Sequence, residues 1–126
     1  MIDFLDVHDV LILHAEQAAL YGGACGVRDA GLLESAIAQP QTMFGGEYLH
    51  KDIFEMAAAY MFHIVQNHPF LDGNKRTGAV VAMVFLDING IEIDAAKGSI
   101  YDLTMSVATG KTGKTEIAEF FRLHGH

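Results

Sequence analysis

Between Gly73 and Gly90 the chain runs sixteen residues, Asn74 to Asn89, without a proline. Ten of them in succession, Thr77-Gly78-Ala79-Val80-Val81-Ala82-Met83-Val84-Phe85-Leu86, carry no charge. A fold must bury such a run, and its length limits how. An ordinary strand spans roughly 5–6 residues, so the segment is too long for a strand and right for a buried helix. Gly90 falls where the left-handed C′ residue of a helix belongs. Several β-branched residues and Gly78 lower the intrinsic helix propensity, so burial has to supply the stability. The expectation is a core helix from Asn74 to Asn89.

The remaining chain reads as further helices around it. Asp6-Val7-His8-Asp9 is a helix start, a capping Asp followed by an acid three residues on. Val7, Val10, Leu11, Leu13, His14, Ala18 and Tyr21 recur at helical spacing, and Gly22-Gly23 ends the helix. His8 and His14 are six apart, off the i, i+4 spacing of a metal pair, and are expected at an edge or in solvent. Tyr21 to Val27 is a glycine-rich connection. A second helix covers about Asp29 to Gln39, and Pro40 stops it. Pro40 to Lys51, with Gly45-Gly46, Phe44 and Tyr48, has no helical period and reads as a long loop or a small hairpin. Asp52 caps a third helix through Asn67, apolar over a wide arc and therefore central. His63 on it is expected to pack in the core. Pro69 forces His68 out of helical geometry. Ile91-Glu92-Ile93-Asp94 is short and extended, Ala95 to Thr109 a fifth helix, Gly110 to Gly113 a break, and Thr115 to Leu123 a terminal helix. His124-Gly125-His126 is expected to fray. The fold class is all-α: a compact bundle of about six helices with a short hairpin loop.

Composition bounds the function. The 126 residues make one domain, residues 1–126, with 51% hydrophobic content. The net charge of -8 disfavours direct nucleic-acid binding, which needs a basic face. A local group of cations can still hold a small polyphosphate. The single cysteine, Cys25, excludes an internal disulfide and is expected as a buried small side chain near a turn. The acidic start Met1-Ile2-Asp3-Phe4-Leu5-Asp6 lacks the basic region of a signal peptide. No apolar run approaches the ~20 residues of a membrane span. A soluble, cytoplasmic protein is expected.

The chemistry concentrates at the start of the core helix, in His68-Pro69-Phe70-Leu71-Asp72-Gly73-Asn74-Lys75-Arg76. A helix beginning near Asn74 offers unsatisfied N–H groups and a positive dipole end, and Gly73 removes the Cβ that would hold an anion off. Lys75 and Arg76 oppose the dipole, which makes sense if they face a bound polyanion; solvated surface cations are the alternative. Asp72 beside an anion site suits a Mg²⁺ ligand or, more plainly, a helix cap. Asn74 offers an amide that could orient a phosphoryl oxygen. Phe70, apolar in a polar loop, is expected to plug into the core. His68 suits a general base toward a hydroxyl, since imidazole is the side chain whose unperturbed ionisation falls near pH ~6.5. Together these are the parts for moving a phosphorus-containing group from a nucleotide to a hydroxyl.

The nine-residue stretch resembles the signature of the Fic/Doc superfamily, specifically its death-on-curing (Doc) branch. Tyr21-Gly22-Gly23, Gly31-Leu32-Leu33-Glu34-Ser35-Ala36 and Asn89-Gly90 are similar to that branch as well. The resemblance implies a helical Fic fold, ATP and Mg²⁺ as co-substrate and cofactor, and His68 as general base. It implies Asp72 as the Mg²⁺ ligand, Gly73 and Asn74 as the anion hole, and Lys75 and Arg76 as phosphate-neutralising cations. Most Fic proteins transfer AMP to a protein hydroxyl and read H-x-F-x-D/E-G-N-G-R-x-x-R. Here Lys75 replaces the second glycine and Ala79 the last arginine. The Doc branch shares the lysine; it is a protein kinase that moves the γ-phosphate of ATP to a threonine of elongation factor Tu and halts translation. The flap that lays a target across the site would be Pro40 to Lys51. Self-inhibited Fic proteins carry S/T-x-x-x-E-G/N; Thr112 to Glu116 followed by Ile117 fails that pattern. Inhibition would then come from a partner, a Phd-like antitoxin. An adenylyltransferase and a catalytically idle binding module are the alternatives.

Ala108-Thr109-Gly110-Lys111-Thr112-Gly113-Lys114-Thr115 fits a relaxed Walker A pattern. A P-loop needs a strand before it and a parallel sheet around it, and neither is expected here. A turn between two helices, with threonine capping, is the better account.

Overall fold

A computed structural model describes residues 1–126. Six α-helices account for most of the chain: α1 (Val7–Tyr21), α2 (Ala30–Ala38), α3 (Ile53–Asn67), α4 (Asn74–Ile88), α5 (Ser99–Ala108) and α6 (Lys114–His124). A 3-10 turn, Gln39–Gln41, and an antiparallel hairpin of β1 (Met43–Phe44) and β2 (Glu47–Tyr48) join α2 to α3. Three helix starts are set by aspartates. Asp6 accepts the Asp9 N–H at 2.8 Å while Asp9 accepts the Asp6 N–H at 3.0 Å, a reciprocal cap. Asp29 and Asp52 accept from Leu32 and Glu55. Asp52 also pairs with Arg122 of α6 at 2.8 Å, so one carboxylate starts α3 and ties α6 to it.

The central helix is α3, which packs against α4, α6 and α2. Met56 to Met61 is buried without a break, and Ala57, Ala58 and Ala59 within it keep the surface thin enough for neighbours on several sides. The expected core helix is α4, and its glycine has a packing reason. A Cβ on Gly78 would lie 2.8 Å from Val65 Cγ2 and 3.3 Å from the Met61 carbonyl. The low propensity of Gly78 is thus the condition for α3 and α4 to meet closely. Tyr60 is buried with its hydroxyl satisfied twice, donating to the Leu5 carbonyl at 3.0 Å and accepting from the Leu5 N–H at 2.9 Å. Burial pushes its pKa up to about 12. At the end of α4, Asn89 donates to the carbonyls of Asp3 and Phe85 and accepts from the Asp3 N–H, anchoring the N-terminal segment.

Several details depart from the sequence expectations. The fifth helix starts at Ser99, not Ala95, because Gly98 is left-handed (φ 85°) and the preceding residues form a turn. The C-terminal tripeptide is not frayed: Glu92 and His126 exchange two backbone bonds of 2.9 Å, and Asp94 donates to the His124 carbonyl. Cys25 is exposed. His14 is buried, at 3% exposure, rather than at an edge. Thr109 and Thr112 bond back onto α5, and no side chain caps α6. As expected, a helix and not a strand precedes the Walker-like segment. No helix is long and apolar enough to cross a membrane.

Three histidines are held below the ordinary histidine pKa by burial: His14, His50 and His63. His63 falls to about 4, helped by Lys114, whose Nζ lies 3.2 Å from its Nε2. An unfolded histidine ionises near pH ~6.5. Below that pH the unfolded chain takes up protons that the folded chain refuses. The stabilisation is therefore complete above pH ~6.5 and is lost as the pH falls toward the folded pKa values. Urea denaturation between about pH 7.5 and about pH 5 should show stability falling, by at most ~1.4 kcal/mol per pH unit for each such histidine. His63→Gln should flatten that slope by one histidine's share.

Candidate active site

The signature stretch is the hinge between α3 and α4. Pro69 prevents α3 from continuing, and His68 leaves it in the left-handed region (φ 53°, ψ 51°), the one non-glycine residue with positive φ. As expected, Pro69 takes His68 out of the right-handed helix, and the chain turns there in a tight reversal. Phe70 is fully buried, as expected. Its ring lies flat on His14, centroids 3.8 Å apart and planes 9° apart, and His14 Nδ1 is 2.9 Å from Thr77 Oγ1 of α4. The histidine of α1 is thus the floor of the loop.

Asn74 locks the hinge. Its Oδ1 accepts the Phe70 N–H at 2.9 Å, its Nδ2 donates to the Phe70 carbonyl at 3.0 Å, and the same Nδ2 lies 3.1 Å from His68 Nδ1. Because the Phe70 N–H can only donate, the amide orientation is fixed, and His68 Nδ1 must accept. The neutral ring then carries its proton on Nε2. Its basic atom, Nδ1, can take a proton only after giving up Asn74. The Asn74 carboxamide is therefore spent inside the loop, and what this residue offers an anion is its backbone N–H. The N–H groups of Asn74, Lys75 and Arg76 have no protein acceptor. The Gly73 N–H is turned to Asp72 Oδ1 at 2.8 Å.

A second segment, 22–29, straps the hinge from outside. Val27 bridges Phe70, Leu71 donates to the Gly26 carbonyl at 3.0 Å, and the N–H groups of Arg28 and Asp29 both reach the Pro69 carbonyl. Gly23 (φ 101°) passes so close to Asp72 that a Cβ there would overlap Oδ2. Nothing in the sequence pattern assigns this strap to the hinge, although Tyr21-Gly22-Gly23 marks its start. His14 was detectable, since it shares the buried α1 face with Val10 at i, i+4 spacing.

A cavity of about 500 Å³ opens over the start of α4. His68, Asp72, Gly73, Asn74, Lys75 and Arg76 all line it, so every site residue expected from the sequence comes together. Ala79 and Val80 continue that wall. The facing wall is α5, through Ile100, Tyr101, Thr104 and Met105, a contribution not foreseen from the sequence. The cavity thus has a cationic, N–H-rich end and an apolar end. The protein's single ion pair is Arg122–Asp52, so Lys75 and Arg76 have no carboxylate partner. Arg76 instead lies 4.5 Å from the centre of the Tyr21 ring, which steadies it by cation–π attraction. The hairpin lines no part of the cavity, and Phe44 at its tip is 84% exposed.

No three carboxylate, thiol or imidazole side chains converge as a metal cage. Asp72 alone faces the cationic end. That donor set fits Mg²⁺, which commonly keeps its waters and is bound through one or two carboxylates and the phosphates of a substrate.

The Fic/DOC family model matches residues 4–86, two thirds of the chain, from α1 through all but the last two residues of α4. The chain belongs to the Fic/DOC family. Among its relatives is toxin Doc of Mycolicibacterium smegmatis, 39% identical over 95 residues, which cover 75% of this chain and 71% of that protein. Protein kinase doc of Escherichia phage P1 is 32% identical over 114 residues, 90% of this chain and 89% of that one. The mostly helical architecture agrees with a Fic fold, and the Fic/DOC signature coincides with the α3–α4 hinge.

Gly22 and Gly23 separate backbone strain from site geometry. Both have positive φ, but a Cβ on Gly22 meets nothing within 4 Å. Gly22→Ala should cost about 1–3 kcal/mol from its positive-φ backbone alone (φ 81°, ψ -173°), a region essentially reserved for glycine. Gly23→Ala should cost more in chemical denaturation, and it alone should shift the Asp72 amide resonance.

Proposed function

We propose that this chain is a Doc-type toxin of a toxin–antitoxin pair, an ATP- and Mg²⁺-dependent kinase of a protein threonine or serine. By resemblance the acceptor is elongation factor Tu, and its modification would arrest translation. The observation that carries the reading is Lys75 and Ala79 on one wall of the cavity. In the AMP-transferring pattern those places are a glycine and an arginine that hold the phosphates for attack at the α-phosphorus. A lysine side chain fills the space where those phosphates would run, and an alanine cannot anchor them. The phage relative, named as a protein kinase, points the same way.

In this reading the phosphates sit against the free N–H groups of Asn74, Lys75 and Arg76, with both cations balancing their charge. The apolar wall from α5 suits the nucleoside end. Mg²⁺, held by Asp72 and the phosphates, would neutralise charge on the transferred group. His68 takes the proton of the acceptor hydroxyl at Nδ1, the atom that Asn74 covers in the resting hinge. The exposed hairpin edge is suited to lay an extended target segment beside the cavity. A Phd-like antitoxin would restrain the enzyme, since the chain lacks the self-inhibiting pattern.

Two isotopic labels test the assignment. With γ-labelled ATP and elongation factor Tu, the acceptor should become labelled, and His68→Ala should lower the rate by about 100-fold or more. Label transferred only from the α-position would instead establish an adenylyltransferase. Growth arrest that survives both His68→Ala and Lys75→Ala would establish a binding module without catalysis.

A further inference from the structure

We propose that Arg28, a residue of the strap, is a positioning residue for His68; the proposal rests on the reading of His68 as the base. The need is local. His68 is held in a backbone conformation that L-residues avoid. It closes α3, where the last carbonyls have no helical donor, and Pro69 has no N–H to offer. Within the backbone only the His68 N–H is held, by the Ile64 carbonyl at 3.2 Å; the carbonyls of Asn67 and His68 have no backbone donor.

Arg28 supplies what is missing. Its Nε donates to the His68 carbonyl at 2.7 Å and its Nη2 to the Asn67 carbonyl at 3.0 Å, while its backbone N–H donates to the Pro69 carbonyl at 2.7 Å. One residue thus grips three successive carbonyls. The guanidinium is a rigid planar fork, so the two side-chain bonds fix an orientation as well as a distance. Its charge also lies at the negative end of the α3 dipole. With the peptide groups held, the imidazole keeps one position in the hinge, with Nδ1 3.1 Å from Asn74 at rest and placed to meet the acceptor hydroxyl once that contact is given up. Arg28 lines no part of the cavity. It has no way to touch a nucleotide there, and its effect should pass through His68 alone.

The test uses the full chain. Arg28→Ala should lower kcat for γ-phosphate transfer about 10-fold, with the KM for ATP changed by less than about twofold. Arg28→Lys, which keeps the charge but not the fork, should fall between Ala and wild type. The second measurement needs no turnover. At about pH 8, where an ordinary histidine is neutral, ring ¹⁵N spectra of the wild type should show His68 with its proton on Nε2. Arg28→Ala should move those signals toward a mixture of tautomers. If Arg28→Ala does not fold, Arg28→Lys carries both measurements. Unchanged ring signals in a folded variant, or a raised KM at unchanged kcat, would overturn the proposal. If the wild type transfers no phosphate, the kinase reading falls, and the ring spectra alone still decide whether Arg28 sets His68.

Discussion

The hinge between the two central helices closes through one carboxamide. Asn74 is buried, and its side chain satisfies both backbone groups of Phe70 while donating to His68. From that closure the rest of the arrangement follows. Phe70 is turned inward onto His14, which ties the loop to α1 and, through Thr77, to the first turn of α4. Asp72 and Gly73 are turned outward, and the N–H groups of Asn74, Lys75 and Arg76 are left facing open space. An apolar residue at position 74 would strand the two Phe70 groups without partners in a buried place, which folded proteins avoid.

Much of this architecture was legible because local and global preferences agree. Asp6, Asp29 and Asp52 announce helix starts, Gly22 announces an end, and the uncharged run after Arg76 can only be a core helix. The six candidate residues come together because they fall within nine consecutive positions, and closeness of that kind in a tight turn brings side chains to one place. What could not be read were the partners brought from a distance. The Gly26–Asp29 backbone is paired with Pro69 to Leu71 across some forty residues, and main-chain bonds leave no imprint on side-chain identity. The α5 wall looks in sequence like any other half-buried helix face. The expectation of a frayed C-terminus failed for the same reason: the 92–126 pairing is made by backbone alone.

Placing Lys75 and Arg76 in the first turn of α4 sets two positive charges against the positive end of a helix dipole, in a chain whose net charge is -8 and which supplies neither with a carboxylate. Helix α4 has no side-chain cap either. Its stability comes from the other face, where Thr77, Gly78, Val81, Ala82, Phe85 and Leu86 are buried. The division is clear-cut. One side of the helix holds the protein together, and the exposed start is free to carry an arrangement that favours an anion over the helix itself.

The strap has a dynamic consequence. Site loops in many proteins open locally, with hydrogen bonds that break far more readily than those of the core. Here the hinge is sewn to α1 through a buried stack and to the α1–α2 connection through backbone pairing. Loosening it means undoing contacts from three parts of the chain at once. The amide hydrogens of Phe70 and Leu71 therefore belong with the slowly exchanging class of the core helices.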